Sequence, residues 1–186
     1  MPSQNRYFIA LIPPQEICEQ VTVFKKDIAI NYNSRKALRV IPHITLKTPF
    51  HLDEKEHGLL MQWFHNLSFS INKFELGLNG FRCFNNSKAP VIYVQPEYSA
   101  QLLSVQQSII KQFSQAFPNT QIQFHDNDYH PHMTIGYRDL TYPEFEKAWS
   151  VYKNKPYKVQ FEVQGIYLLQ HDSKQWNIIA QHLLQE

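Results

Sequence analysis

The chain has 186 residues, 43% hydrophobic and 18% charged, with a formal net charge of +2. That composition excludes a disordered or fibrous protein, and a charge so near neutrality does not imply a long duplex-binding groove. Five glycines argue against Gly-rich nucleotide loops, while 14% aromatic residues favour strands and stacking platforms.

The length suits one two-lobed domain spanning residues 1–186. The first apolar run, Tyr7 to Ile12, is too short for a signal peptide, and nothing approaches the ~20 apolar residues of a membrane span. A monomeric cytoplasmic protein without a membrane partner is therefore expected. Cys18 and Cys83 have no metal-like spacing; they suit a reducing compartment, and one disulfide between them stays open.

Residues 6–12 read as a buried strand that Pro13-Pro14 ends. Ile17, Val21, Phe24 and Ile28 recur at helical spacing, which predicts a helix over 14–30. An extended stretch follows over 39–50. Asp53 and Glu56 then open a second helix to Asn66, burying Leu59, Leu60, Trp63 and Phe64. Two short strands at 74–78 and 80–84, a turn at 85–88 and a strand at 91–94 come next. Leu102, Val105, Ile109 and Phe113 mark a third helix over 97–117. An extended stretch at 129–137, a helix at 141–152 and strands at 157–163, 166–169 and 176–183 complete the chain.

Two pentapeptides stand out. Pro42-His43-Ile44-Thr45-Leu46 is echoed by Pro131-His132-Met133-Thr134-Ile135. On a strand, residues i and i+2 share a face, so each copy offers an imidazole and a hydroxyl together, with aliphatic side chains facing the core. A strand and a helix precede each copy: 34 residues separate Ile9 from His43, and 40 separate Ile92 from His132. A duplicated strand–helix–strand half would put the two motifs in pseudo-symmetric positions.

Phosphodiester cleavage without a metal needs a base for the nucleophile, an acid for the leaving oxygen and donors for the non-bridging oxygens. Histidine, with a pKa of ~6.5, serves as acid or base at neutral pH. Threonine hydroxyls held beside it can stabilise developing charge. A single His-x-Thr is weak evidence, because buried hydrogen-bonded histidines are common. Two copies with matched prolines and aliphatic residues are far more specific.

With these motifs the chain resembles the 2H phosphoesterase superfamily, which is defined by two His-x-Thr/Ser-x tetrapeptides. More narrowly it resembles the bacterial 2′-5′ RNA ligase-like branch, the RNA cyclic phosphodiesterases. The matching pieces are Tyr7-Phe8-Ile9-Ala10-Leu11, Pro42-His43-Ile44-Thr45-Leu46-Lys47, Gly80-Phe81 before Val91-Ile92-Tyr93-Val94, and His130-Pro131-His132-Met133-Thr134-Ile135. The resemblance implies an α+β fold of two pseudo-symmetric lobes, each an antiparallel sheet backed by helices, with the motifs on central strands of a shared cleft. It also implies action on 2′,3′-cyclic or 2′-5′-linked phosphates without a metal or other cofactor. The expected partner is RNA with a 2′,3′-cyclic phosphate end, or a small nucleotide. A binding module without turnover, and a 2′-5′ ligase running the same site in reverse, are the rival readings.

The expected catalytic residues are His43, Thr45, His132 and Thr134, with His132 as base and His43 as acid. Lys47, two residues past Thr45, carries the parity of the catalytic face and is a candidate phosphate contact. Phe8 and Phe50 could stack on a base or belong to the core, and Tyr93 on the mirror strand is similar. In many relatives an Arg stands where this chain has Tyr137. Arg138, one place further, would point away if the strand continued. Tyr137 is a stacking candidate, and His130 a hydrogen-bond partner at the cleft edge. His125, Asp126, Asp128 and His130 cluster without zinc-site spacing, so no metal is expected. Arg35, Lys36 and Arg39 would suit an RNA backbone or simply form a solvated loop. Specificity is expected in loops 31–40, 51–57, 85–90 and 125–130.

Overall fold

The two-residue repeat of a strand over Gln4–Leu11 places Tyr7, Ile9 and Leu11 on one face and Arg6, Phe8 and Ala10 on the other, and the apolar run from Tyr7 to Leu11 is buried throughout. Both faces are covered: Tyr7, Ile9 and Leu11 join the main core, and Phe8 and Ala10 pack in a smaller cluster with Leu169. The computed structural model describes residues 4–186, so the first three residues of the expected 1–186 domain lie outside it.

The elements follow in the order β1 (Gln4–Leu11), α1 (Gln15–Asn31), β2 (Ile44–Asp53), α2 (His57–His65), β3 (Phe74–Phe84), β4 (Val91–Pro96), α3 (Ala100–Ala116), α4 (Phe124–Asn127), β5 (Met133–Gly136), α5 (Tyr142–Tyr152), β6 (Lys158–Val163), β7 (Gly165–His171) and β8 (Trp176–Leu183). Two antiparallel sheets form, ordered β2-β1-β7-β8 and β5-β4-β3-β6. The orders superimpose: β1 corresponds to β4, and β2 to β5. The repeat legible in the sequence is therefore a repeat of the fold, α+β with two lobes.

The helices that connect equivalent strands are exchanged between the sheets. α1 leaves β1 but packs on β5 of the second sheet, and α3 leaves β4 but packs on β2 of the first. Phe24 of α1 meets Phe81 and Tyr157 edge-on at 5.1 and 5.0 Å, and Phe113 of α3 meets Phe50 at 4.6 Å. Gly136 permits the first of these dockings, since a Cβ there would sit 3.0 Å from Ile28 Cγ2. The exchange threads one continuous apolar core through both lobes, from Tyr7 and Ile9 to Met133 and Ile135. Burial of this kind, at roughly 25 cal/mol per Å² of apolar surface, is the main force holding the lobes together.

The sequence divides β3 into two strands; the structure makes it one, turned at Gly80, whose φ of 68° is open to glycine. It also adds α4, a single turn capped by Gln123 and Asp126, which no apolar periodicity announces. The expected start of the second helix is present as a capping box, with Glu56 accepting from the Asp53 backbone N–H at 3.0 Å. Leu60 and Phe64 of that helix are buried, whereas Leu59 is exposed. Cys18 and Cys83 are both free thiols. Among the described residues, no helix is long and apolar enough to cross a membrane.

Candidate active site

β2 and β5, the strands that carry the motifs, are each the outermost strand of their sheet. The resemblance led us to expect central strands. The observed placement suits the prolines, which cannot donate to a ladder and mark its entry. His43 and His132 lie just before their strands begin, at Ile44 and Met133. Both pairs, His43 with Thr45 and His132 with Thr134, line one cleft of about 250 Å³. The intervening Ile44 and Met133 are fully buried, as alternation requires.

The two imidazoles are held identically. His43 Nδ1 lies 2.7 Å from the Ile41 carbonyl, and His132 Nδ1 lies 2.7 Å from the His130 carbonyl. A carbonyl only accepts, so each Nδ1 carries the proton and donates it. Each Nε2 is then the free nitrogen, available to accept a proton or, once protonated, to give one. Aromatic rings brace both: Phe8 of β1 lies 4.9 Å from His43, while Tyr93 of β4 and Phe84 of β3 lie 5.5 and 5.2 Å from His132. Phe8 and Tyr93 occupy corresponding strands, so the bracing repeats as well.

Burial among these rings pushes the His43 pKa down to about 4, helped by the nearby charges of Lys25 and His132 and opposed by the Ile41 hydrogen bond. Burial also lowers His132, with His125 and His130 adding repulsion. With both shifts downward, the two rings are neutral at pH 7. A bound phosphate supplies the negative charge that favours an imidazolium. Behind the first motif lies Lys25 of α1, buried and donating to the Val40 carbonyl at 2.9 Å; burial lowers it to about 8.

Each motif strand carries a bulge immediately after its threonine. Ala10 pairs with Thr45 but its neighbour Ile9 pairs with Lys47; likewise Tyr93 pairs with Thr134 but Ile92 with Gly136. The extra residues, Leu46 and Ile135, break the two-residue alternation. One expectation falls with it. Lys47 turns to the interior, fully buried, and its ammonium bonds Asp126 Oδ2 at 2.7 Å, so it is not a phosphate contact. Asp126 also accepts from the Thr48 N–H and hydroxyl, each at 2.8 Å, and from the Gln123 N–H at 2.9 Å. This buried pair clamps motif strand β2 to the loop that leads into the second motif.

β5 ends at Gly136, and Arg138 has a φ of 59°. The strand does not continue, so the premise that turned Arg138 away fails. Tyr137 and Arg138 both line the cleft, with the guanidinium 5.2 Å over the Tyr137 ring. His130 contributes its backbone carbonyl to His132, while its exposed ring faces Asp128 at 3.3 Å. Phe8 is a wall of the cleft, and Phe50 belongs to the core. Arg35 and Lys36 present backbone N–H groups to the Asp139 carboxylate of the other lobe, which fastens loop 34–36 there.

Sequence reasoning missed Arg6, His171 and Trp176, which complete the cleft wall. Arg6 was accessible in principle: it lies two residues before Phe8 on the same face of β1. His171 and Trp176 arrive from the far end of the chain through β7 and β8, and no local signal marks them. A second cavity, of about 560 Å³, shares Thr45, Pro49 and His132 with the cleft and extends past Phe84 and Tyr129 toward Asp126 and Asp128. Of the four loops expected to carry specificity, 31–40 reaches the cleft through Ala37 and Val40, and 125–130 reaches the second cavity.

Residues 13–175 match the model of a family described as the 2′-5′ RNA ligase superfamily. A Geobacillus kaustophilus (strain HTA426) protein, provisionally described as a phosphoesterase, is 25% identical over 174 residues, 93% of this chain and 92% of its own. E. coli LigT, solved in complex with 3′-AMP, aligns over 99% of this chain and 100% of its own with a TM-score of 0.70 and 15% identity. TT0787 of Thermus thermophilus aligns over 97% of this chain and 98% of its own with a TM-score of 0.64 and 17% identity. The two structural likenesses concern the fold.

Proposed function

This chain belongs to the 2′-5′ RNA ligase superfamily, and from that premise we propose that it is a metal-independent phosphodiesterase. It opens a 2′,3′-cyclic phosphate, or cleaves a 2′-5′ bond, in RNA or a small nucleotide. The observation that carries this reading is the matched pair of imidazoles, each with Nδ1 donating to the carbonyl two residues upstream and Nε2 left for the cleft. LigT has been solved with 3′-AMP, ATP and NADP+, which supports a nucleotide in the corresponding cleft here.

In this mechanism His132 Nε2 takes a proton from water as the water oxygen bonds phosphorus. The bond from phosphorus to a ribose oxygen breaks, and His43 Nε2–H protonates that oxygen. Thr45 and Thr134 donate to the non-bridging oxygens, where charge accumulates. The proton gained by His132 and lost by His43 is exchanged with solvent before the next turnover. Placing the leaving ribose beside His43 agrees with the aromatic walls there, Phe8 and Trp176. Arg138 and Tyr137 flank the opposite motif.

The test is a screen of the four nucleoside 2′,3′-cyclic phosphates, cyclic-ended RNA and 2′-5′ oligoadenylate with EDTA present. Turnover is expected under EDTA, and its loss is expected in both His43→Ala and His132→Ala. Near-normal turnover in either variant overturns the reading. Analysis of products from a cyclic-ended oligonucleotide separates hydrolysis from ligation, the same site run in reverse.

A further inference from the structure

The cleft contains more hydrogen-bond donors and fixed positive charge than one phosphate needs. Its lining includes Arg6, Arg138 and three histidines and no carboxylate, whereas the adjoining cavity holds Asp126 and Asp128. Among the ion pairs of the described residues, none involves Arg6 or Arg138. Arg138 comes from the second lobe, beside Thr134. Arg6 comes from the first lobe, on β1. It lies two residues before Phe8 on β1, ~7 Å along the strand from the ring that braces His43. That displacement is on the scale of one ribose-phosphate unit.

Among the described residues, the buried Nε of Arg6 has no hydrogen-bond partner. A buried donor left unpaired is costly, and native structures rarely tolerate one without a reason. The guanidinium lies 5.3 Å over the Trp176 ring, which holds it in the wall of the cleft. His171, the cross-strand partner of Arg6, adds a donor. Its Nδ1 accepts from the Ser173 N–H at 3.1 Å, so in the neutral ring the proton sits on Nε2. The subsite therefore offers donors only.

We propose that Arg6, with His171 and Trp176, binds a second phosphate of the substrate, one nucleotide removed from the phosphate held between His43 and His132. This rests on the phosphodiesterase reading and narrows it: the substrate carries a phosphate on the 5′ side of the reacting ribose. That phosphate is either the internucleotide diester of an RNA end or the 5′-phosphate of a mononucleotide.

Three substrates distinguish these sources: adenosine 2′,3′-cyclic phosphate with a 5′-hydroxyl, the same compound with a 5′-phosphate, and a cyclic-ended dinucleotide. For the wild type, kcat/KM should be higher for the two that carry a second phosphate. In Arg6→Gln the ratio of either to the 5′-hydroxyl compound should fall about ten- to a hundred-fold, the factor a charge-assisted hydrogen bond provides. Arg6→Lys should restore part of that ratio. A gain with the dinucleotide but not the 5′-phosphate assigns the subsite to an RNA diester. Gain with both assigns it to phosphate in either form. Without relying on any variant, the wild-type kcat/KM should depend more steeply on salt for the two-phosphate substrates. An Arg6→Gln ratio equal to that of the wild type, or equal salt slopes for all three substrates, overturns the subsite while leaving the phosphodiesterase reading intact. Failure of the wild type to turn over any of the three removes the subsite together with the cyclic-phosphate reading on which it rests.

Discussion

Asp126→Ala should be among the most damaging single substitutions in this protein, although Asp126 lies outside both motifs. Its carboxylate accepts from Lys47 Nζ, the Thr48 N–H and hydroxyl, and the Gln123 N–H. Without it, the buried Lys47 ammonium keeps only the Thr48 carbonyl at 3.5 Å and the faces of Phe50 and Phe113 at 5.3 and 5.1 Å. Removing one partner of a buried pair costs about 3–5 kcal/mol. At about 2–4 °C per kcal/mol for a chain of this size, Tm should fall by about 6–20 °C. Lys47→Met fills the same volume and leaves Asp126 three other donors, so its cost should be about 2 kcal/mol. The double variant Lys47→Met/Asp126→Asn should recover part of the loss, because it buries no unpaired charge. Thermal and urea unfolding measure these differences, and kinetics on the same samples read the site. Activity should decline in step with stability, since the clamp holds β2 against the loop leading to His132. A Lys47→Met protein with an unchanged Tm and a raised KM would refute this and return Lys47 to the substrate.

Burial, together with like charge, holds His43 at about 4 and His132 below its usual 6.5. The kcat/KM profile, which reports the free enzyme, should therefore be bell-shaped, peak below pH 6.5 and decline through neutrality as the singly protonated pair is lost. The kcat profile should extend to higher pH, because bound phosphate favours the imidazolium; a kcat/KM maximum at about pH 7 or above contradicts the cause assigned. A p-nitrophenyl ester, whose leaving group needs no proton, should restore turnover to His43→Ala far more than to His132→Ala, and the opposite pattern would exchange their roles. Lys25, lowered by burial to about 8 from 10.5, binds its proton less well folded than unfolded. Stability of the wild type relative to Lys25→Met should then rise between about pH 8 and 10.5, and a flat difference across that window would mean that Lys25 is not desolvated.

How far the sequence could be read depended on where local periodicity held. Ile17, Val21 and Ile28 marked α1 because a helix repeats its buried face over several turns, and those side chains are buried. The paired motifs were legible because His and Thr at i and i+2 needed only one extended stretch to share a face. Lys47 and Arg138 were misread at the point where that regularity ends. A bulge after Thr45 and Thr134 reverses parity in both strands, and β5 stops at Gly136. Bulges depend on how a strand pairs with its neighbour, and the composition of Leu46 or Ile135 does not announce one.

The sequence by itself determined the duplicated strand–helix–strand half and the two His-Thr pairs that line the candidate cleft, since each follows from periodicity or repetition along the chain, and its family resemblance implied the α+β class. Only the tertiary structure decided that α1 and α3 exchange sheets, that Lys47 serves Asp126, and that Arg6, His171 and Trp176 meet beside Phe8. These are contacts between segments distant in sequence. Their geometry comes from strand register and the shape of a shared core, which no single stretch of residues encodes.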